Sequence, residues 1–166
     1  MEEIKSIPIT VGAEDGQSLS VAGGTYRILV SGKETGGDFA TIDMMVPPNA
    51  GPGPHSHADF HETFYVLTGE VEVTSEVGTY TAKKGAYVII PKGGIVHKFQ
   101  NKSEEVAQLL CTVVPAGLEE MFLAIGKPVA AGTLNPAPPM DEEGMKQMTK
   151  IAEQYGQKLY PPDFLG

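Results

Sequence analysis

The sequence predicts an all-β fold, an antiparallel barrel or sandwich followed by a short helical tail. Three observations carry this expectation. Short apolar runs, several with two-residue periodicity, recur through the first 115 residues. Turn formers separate them: 20 glycines and 13 prolines make up about a fifth of the 166 residues. That is high for a helical protein and short of a low-complexity chain. After Pro115 the apolar spacing changes to that of helices.

The elements follow in order. Tyr26–Val30 reads as a strand, and Ser31–Gly37 as a turn-rich connection. In Phe39–Val46 the alternate residues Ala40, Ile42, Met44 and Val46 are apolar, with Thr41 and Asp43 between them, so one face is buried. The run from Pro47 to Pro54 breaks any ladder, because proline has no amide donor. Glu62–Leu67, Glu70–Thr74, Thr79–Ala82, Ala86–Ile90, His97–Asn101 and Val106–Val114 are further strands. Leu118, Met121, Phe122 and Ile125 then fall on one helical face, with Gly126 as the stop. Lys127–Pro139 reads as a flexible stretch. A second helix is expected after Asp141 as N-cap, with an apolar stripe of Met145, Met148, Ile151, Ala152 and Tyr155 and Gly156 as its end. The division expected is a barrel over 1–115 and a helical extension over 116–166. The extension is too small to fold alone, so its stripes must dock on the barrel, as a lid, or on another subunit.

Charge narrows the range of partners. Twelve Lys and Arg against 21 Asp and Glu give a net charge of −9. That disfavours nucleic acid and anionic lipid, which reward clustered cations. A single cysteine, Cys111, forms no internal disulfide and reads as a buried, inert thiol. The start of the chain lacks the basic and apolar regions of a secretory leader, and the longest aliphatic runs are far too short to cross a bilayer. The expectation is a soluble, cytoplasmic protein.

The four histidines are placed unevenly: His55, His57 and His61 lie within seven positions, and His97 stands apart. On a strand, His55 and His57 share a face and their imidazoles can converge on one ion. Glu62 sits five residues past His57, an odd offset. A bend or bulge near Ala58–Phe60 is required to bring it to the same site. Phe64 and Val66 share its face. His61, adjacent to Glu62, is expected to face away. Pro91 ends one strand, Gly93-Gly94 permits a tight turn, and His97 opens the return strand with Phe99 on its face. Tyr26, Ile28, Met44, Phe64, Val66, Phe99 and Leu110 read either as pocket wall or as plain core.

These segments resemble the two sequence motifs of the cupin superfamily. HxH-x4-E-x6-G falls on His55, His57, Glu62 and Gly69. G-x5-P-x-G followed by H-x3-N falls on Gly85, Pro91, Gly93, His97 and Asn101, with one more residue between Gly93 and His97 than the usual pattern. Residues 70–84 separate the two, a short spacing similar to that of small single-domain cupins. The resemblance, over about 20–115, implies a double-stranded β-helix, or jelly roll, with one divalent metal in its mouth. By matched position it implies His55, His57, Glu62 and His97 as ligands. Imidazoles with a carboxylate suit Fe, Mn, Ni, Co, Cu or Zn, and the set alone does not select among them.

Tyr26–Gly32, Thr35–Gly37, His61–Leu67, Gly117–Phe122 and the ending around Tyr155-Gly156 resemble the quercetin dioxygenase-like group of cupins. That resemblance implies opening of a flavonol-like or enolic dicarbonyl substrate by O2, with Glu62 as both ligand and general base. It also implies a homodimer, built through an N-terminal strand such as Lys5–Val11. Two other functions stay open. One is a non-oxidative isomerase or lyase of a small oxo-acid or sugar. A phosphosugar would want clustered arginines, and Arg27 is the only one. The other is a non-catalytic small-molecule binder. A DNA-binding regulator is excluded, because the glycine- and proline-broken residues before Tyr26 cannot form a helix-turn-helix.

Overall fold

Chain alternation between two facing antiparallel sheets organises the structure, a computed structural model that describes residues 6–166. The strands in chain order are β1 (Gln17–Val21), β2 (Gly24–Val30), β3 (Ala40–Val46), β4 (His55–His57), β5 (His61–Thr68) and β6 (Glu70–Ser75). They continue with β7 (Gly78–Lys83), β8 (Tyr87–Ile90), β9 (His97–Gln100), β10 (Ala107–Val114), β11 (Lys127–Val129) and β12 (Gln157–Leu159). The larger sheet has the order β11-β1-β2-β3-β10-β5-β8, and the smaller β12-β4-β9-β6-β7. From β3 to β10 the chain crosses repeatedly from one sheet to the other, which is the jelly-roll arrangement.

Period-two patterning builds the core between the sheets. On β3, Ala40, Ile42, Met44 and Val46 are buried, as the alternation predicts. On β10 the buried set is Ala107, Leu109, Cys111 and Val113. Leu110, a pocket candidate in the sequence, therefore lies on the outer face; alternation through Leu109 and Cys111 leaves it no other place. The hairpin strand β1 escapes the sequence reading because Gln17, Ser18 and Ser20 mask its period, although Leu19 is fully buried.

The helices begin and end as expected, but the segments around them do not. Helix α1 (Gly32–Thr35) is a single turn within the turn-rich connection, capped by Ser31 and Glu34. Helix α2 (Leu118–Ile125) and helix α3 (Glu142–Gln154) match the predicted spans, and the Asp141 side chain accepts the Gly144 amide at 2.7 Å. The stretch after Gly126 is not uniformly irregular, since β11 pairs with β1. Likewise β12 extends the smaller sheet beside β4. Residues 116–166 thus contribute a strand to each sheet. Only Ala152 of the α3 stripe is buried, and Met145 is half exposed. Of the strand expected over Lys5–Val11, Lys5 lies outside the described residues. Residues 6–11 form no strand, and Ile7 and Ile9 are exposed.

Three polar clamps fix the loops. Arg27 Nη1 donates to the carbonyls of Gly12, Ala13 and Asp15, and Nη2 to Asp43 at 3.1 Å, so the sole arginine is structural. Buried Glu119 accepts the amides of Gly32 and Gly117 at 2.8 and 2.7 Å, tying the α1 turn to the start of α2. Asn101 is fully buried. Its Nδ2 donates to the carbonyls of Val46 and Glu105, and its Oδ1 accepts from the amide and hydroxyl of Ser103. Beneath it Gly51 (φ 140) passes so close to β9 that a Cβ would lie 2.1 Å from the Phe99 carbonyl oxygen.

Asn101→Ala strands buried carbonyls and is expected to lower unfolding free energy by about 2–4 kcal/mol. Urea denaturation with an unchanged m-value checks this, and a loss below roughly 0.5 kcal/mol, the level of a neutral surface change, would contradict the clamp.

Candidate metal centre

Both sheets contribute to one cluster. The smaller sheet supplies three imidazoles: His55 and His57 from β4 and His97 from β9, where His55 and His97 are cross-strand partners. The larger sheet supplies Glu62 from β5. The bend required between His57 and Glu62 is the passage of the chain from one sheet to the other across Ala58–Phe60. The extra residue before His97 is absorbed by the turn. Gly93 and Gly94 both take positive φ, and the Gly93 amide donates to the Ala58 carbonyl at 3.1 Å. One potential ligand atom from each of His55, His57, Glu62 and His97 lies within 4.8 Å of the others, and all four residues are buried.

Hydrogen bonding sets the protonation of the rings. Each Nδ1 faces a backbone carbonyl: Gly53 at 2.9 Å for His55, Phe60 at 3.2 Å for His57, and Ile95 at 3.0 Å for His97. A carbonyl only accepts, so each Nδ1 carries the proton and each Nε2 presents a lone pair. His57 Nε2 nevertheless lies 2.7 Å from Glu62 Oε2, and His97 Nε2 lies 3.8 Å from the same oxygen. His97 Nε2 is the one buried side-chain nitrogen or oxygen among the described residues with no hydrogen-bond partner. Converging lone pairs around a carboxylate require positive charge. A proton relieves one contact, whereas a divalent cation satisfies all four groups. The residues present therefore fit a metal ion.

The neighbours stiffen the cluster. Phe60 stacks on the His57 ring at 4.1 Å between centroids. Cys111 Sγ donates to Glu62 Oε1 at 3.7 Å, and burial foremost, then the Glu62 charge, pushes the thiol pKa up. It stays a protonated donor. Neither contact follows from the sequence by eye: Cys111 reaches Glu62 only because β10 and β5 pair in register. His61 is exposed and faces away, where its Nδ1 accepts the Lys92 amide at 3.3 Å. Burial, then the neighbouring His97, depresses His55 to about 4, partly offset by Glu62. For Glu62, burial alone would raise the pKa, but the adjacent His57 and His97 imidazoles outweigh it and hold the carboxyl below its usual range.

The cluster opens on one side. His55 and Glu62 border a cavity of about 1040 Å3 that runs between the barrel mouth and the C-terminal segment. Of the sequence-predicted pocket residues, Tyr26, Met44 and Phe99 line it. Ile28, Phe64 and Val66 instead lie in the core away from it, and Leu110 faces outward. Sequence reading missed the other wall, built by α2, α3 and the proline-rich loops, including Met121, Phe122, Met148 and Pro136. The helical stripes of α2 and α3 were its available signal.

Comparison with known proteins locates this arrangement. The family model described as Cupin domain matches residues 42–113. Quercetin 2,3-dioxygenase of Bacillus subtilis (strain 168) is 24% identical over 123 residues, 74% of this chain, and the chain spans 36% of that protein. A predicted oxalate decarboxylase from Thermotoga maritima superposes with a TM-score of 0.58 at 20% identity, over 64% of this chain and 99% of that one. A sugar phosphate isomerase from Silicibacter pomeroyi gives 0.51 at 21% identity, over 57% of this chain and 61% of that one. At such identities the two structures speak to fold alone.

Two outcomes follow from the geometry. A divalent transition metal at a hundredfold excess over its Kd is expected to stabilise the protein by about 2.7 kcal/mol, and His97→Ala to abolish the shift. Thermal melts with and without metal measure it; equal shifts in both proteins would contradict the centre. For the metal-free protein, the unfolded chain binds a proton at position 55 between pH 6.5 and about 4 that the folded chain does not. Stability is therefore expected to fall as pH drops through that window. Urea midpoints for wild type and His55→Gln check this, and an identical pH slope in both would refute it.

Proposed function

Because this chain is a small member of the cupin superfamily, we propose that it is a metal-dependent dioxygenase acting on a flavonol-like or enolic dicarbonyl substrate. The observation that carries this reading is the opening of a His/Glu centre, through His55 and Glu62, into a large, mainly apolar cavity. His55, His57, His97 and Glu62 would hold the metal. When bound, the ion supplies a Lewis acid for adjacent substrate oxygens and a route for electrons to O2.

The protein's own groups do the rest. Glu62 borders the cavity, so its carboxylate is placed to take the proton of an enolic hydroxyl. Cys111 holds the other side of that carboxylate in place. Tyr26, Met44, Phe99 and Phe122 offer flat apolar surface that suits an aromatic ring and excludes water. The phenol of Tyr26 is pushed up by burial first and then by Cys111 and Glu62, so it remains a donor.

The oxo-acid and phosphosugar alternative fits this lining less well. Anionic substrates need fixed cations. Lys127 is the one cationic side chain of the cavity wall and it is exposed, while Arg27 is committed to Asp43 and the residue 12–15 loop.

The test is oxygen consumption and CO release by metal-loaded protein with a flavonol. Turnover is expected in wild type, reduced by about 10²-fold or more in Glu62→Gln. Turnover that proceeds without O2 would favour the isomerase or lyase, and tight binding without turnover the binding module.

A further inference from the structure

We infer that the substrate joins a polar chelating head to a long apolar arm, the head lying at His55 and Glu62 and the arm beneath the C-terminal segment. This rests on the metal-centre reading above and extends it to the shape of the substrate. The cavity is polarised along its length. At the metal end, two further buried side chains with polar groups line it, Tyr26 and Gln157. Gln157 stands beside His57 in the sheet register, so it shares the inward face of the ligand-bearing strand. These groups suit the oxygens of a head and cannot be matched by hydrocarbon.

The rest of the wall has the opposite character. Five of the seven methionines line this one cavity: Met44, Met121, Met140, Met145 and Met148. Methionine is unbranched and polarisable, and it moulds to irregular or flexible apolar ligands. Met140 and Met145 are left 47% and 50% exposed at the rim, large apolar surface that an occupant would cover. The cavity, about 1040 Å3, sits at the top of the roughly 300–1,000 Å3 range of small-molecule sites. The metal centre touches it only through His55 and Glu62. A compact head leaves most of that space to be filled by hydrocarbon.

The test uses 2-acylcyclohexane-1,3-diones, enolic chelators whose acyl chain is lengthened from acetyl to decanoyl. Binding to the manganese-loaded and metal-free protein is measured by anaerobic calorimetry. The expected result is metal-dependent binding of the acetyl compound and a gain of about threefold to fourfold in affinity per added methylene. In Met148→Glu and Met145→Glu, both at partly exposed helix positions, the decanoyl-to-acetyl affinity ratio is expected to fall at least tenfold, with melting curves confirming folding. Metal-dependent acetyl binding with a flat chain-length series would overturn the arm and leave the metal centre standing. An unchanged affinity ratio in both variants would also overturn it. Acetyl binding that is indifferent to metal would instead overturn the reading on which the inference rests.

Discussion

Four lone-pair-bearing groups are held within 4.8 Å of one another in a buried site, and the rest of the structure is arranged around that constraint. Left to themselves, a carboxylate and three Nε2 atoms with their protons committed elsewhere repel one another or lie unsatisfied. The fold imposes the arrangement from two directions. The smaller sheet fixes the imidazoles, each oriented by a backbone carbonyl two or three residues away. The larger sheet fixes Glu62, with Cys111 one strand over. A cation held by these four residues would join the two sheets and so link metal binding to the integrity of the barrel mouth.

The C-terminal segment has two tasks. Through β12 it flanks β4, the three-residue strand that carries two of the histidines and that has only one register pair with β9. Through α2, α3 and the proline-rich loops it roofs the cavity with thioether and hydrocarbon. Strand positioning and substrate surroundings thus come from the same stretch of chain. The interior face of β3 and β9 supplies Met44 and Phe99 as the floor, so the cavity wall combines sheet with helix and loop.

Much of this was legible in the sequence for definite physical reasons. Period two exposed β3 and β5, and the odd spacing between His57 and Glu62 demanded a break that the structure supplies as a change of sheet. Asp141 and Gly156 bracketed α3 correctly. What stayed hidden depends on partners distant in sequence. The strands β11 and β12 are three residues long, too short to show a period, and exist because β1 and β4 offer open edges. Leu110 looked as apolar as Leu109, and only the register of β10 against β3 and β5 decides which faces inward. Phe60 and Cys111 gain their roles from stacking and cross-strand contact, which no local pattern encodes.

The central claim is that His55, His57, Glu62 and His97 hold one divalent metal ion. Anomalous diffraction at the absorption edge of the reconstituted metal tests it most directly. The account predicts a single peak bonded to the Nε2 atoms of the three histidines and to a Glu62 oxygen, at about 2.0–2.2 Å if the ion is zinc. A proton-bridged His57–Glu62 pair with no anomalous peak, in protein crystallised with excess metal, would contradict it.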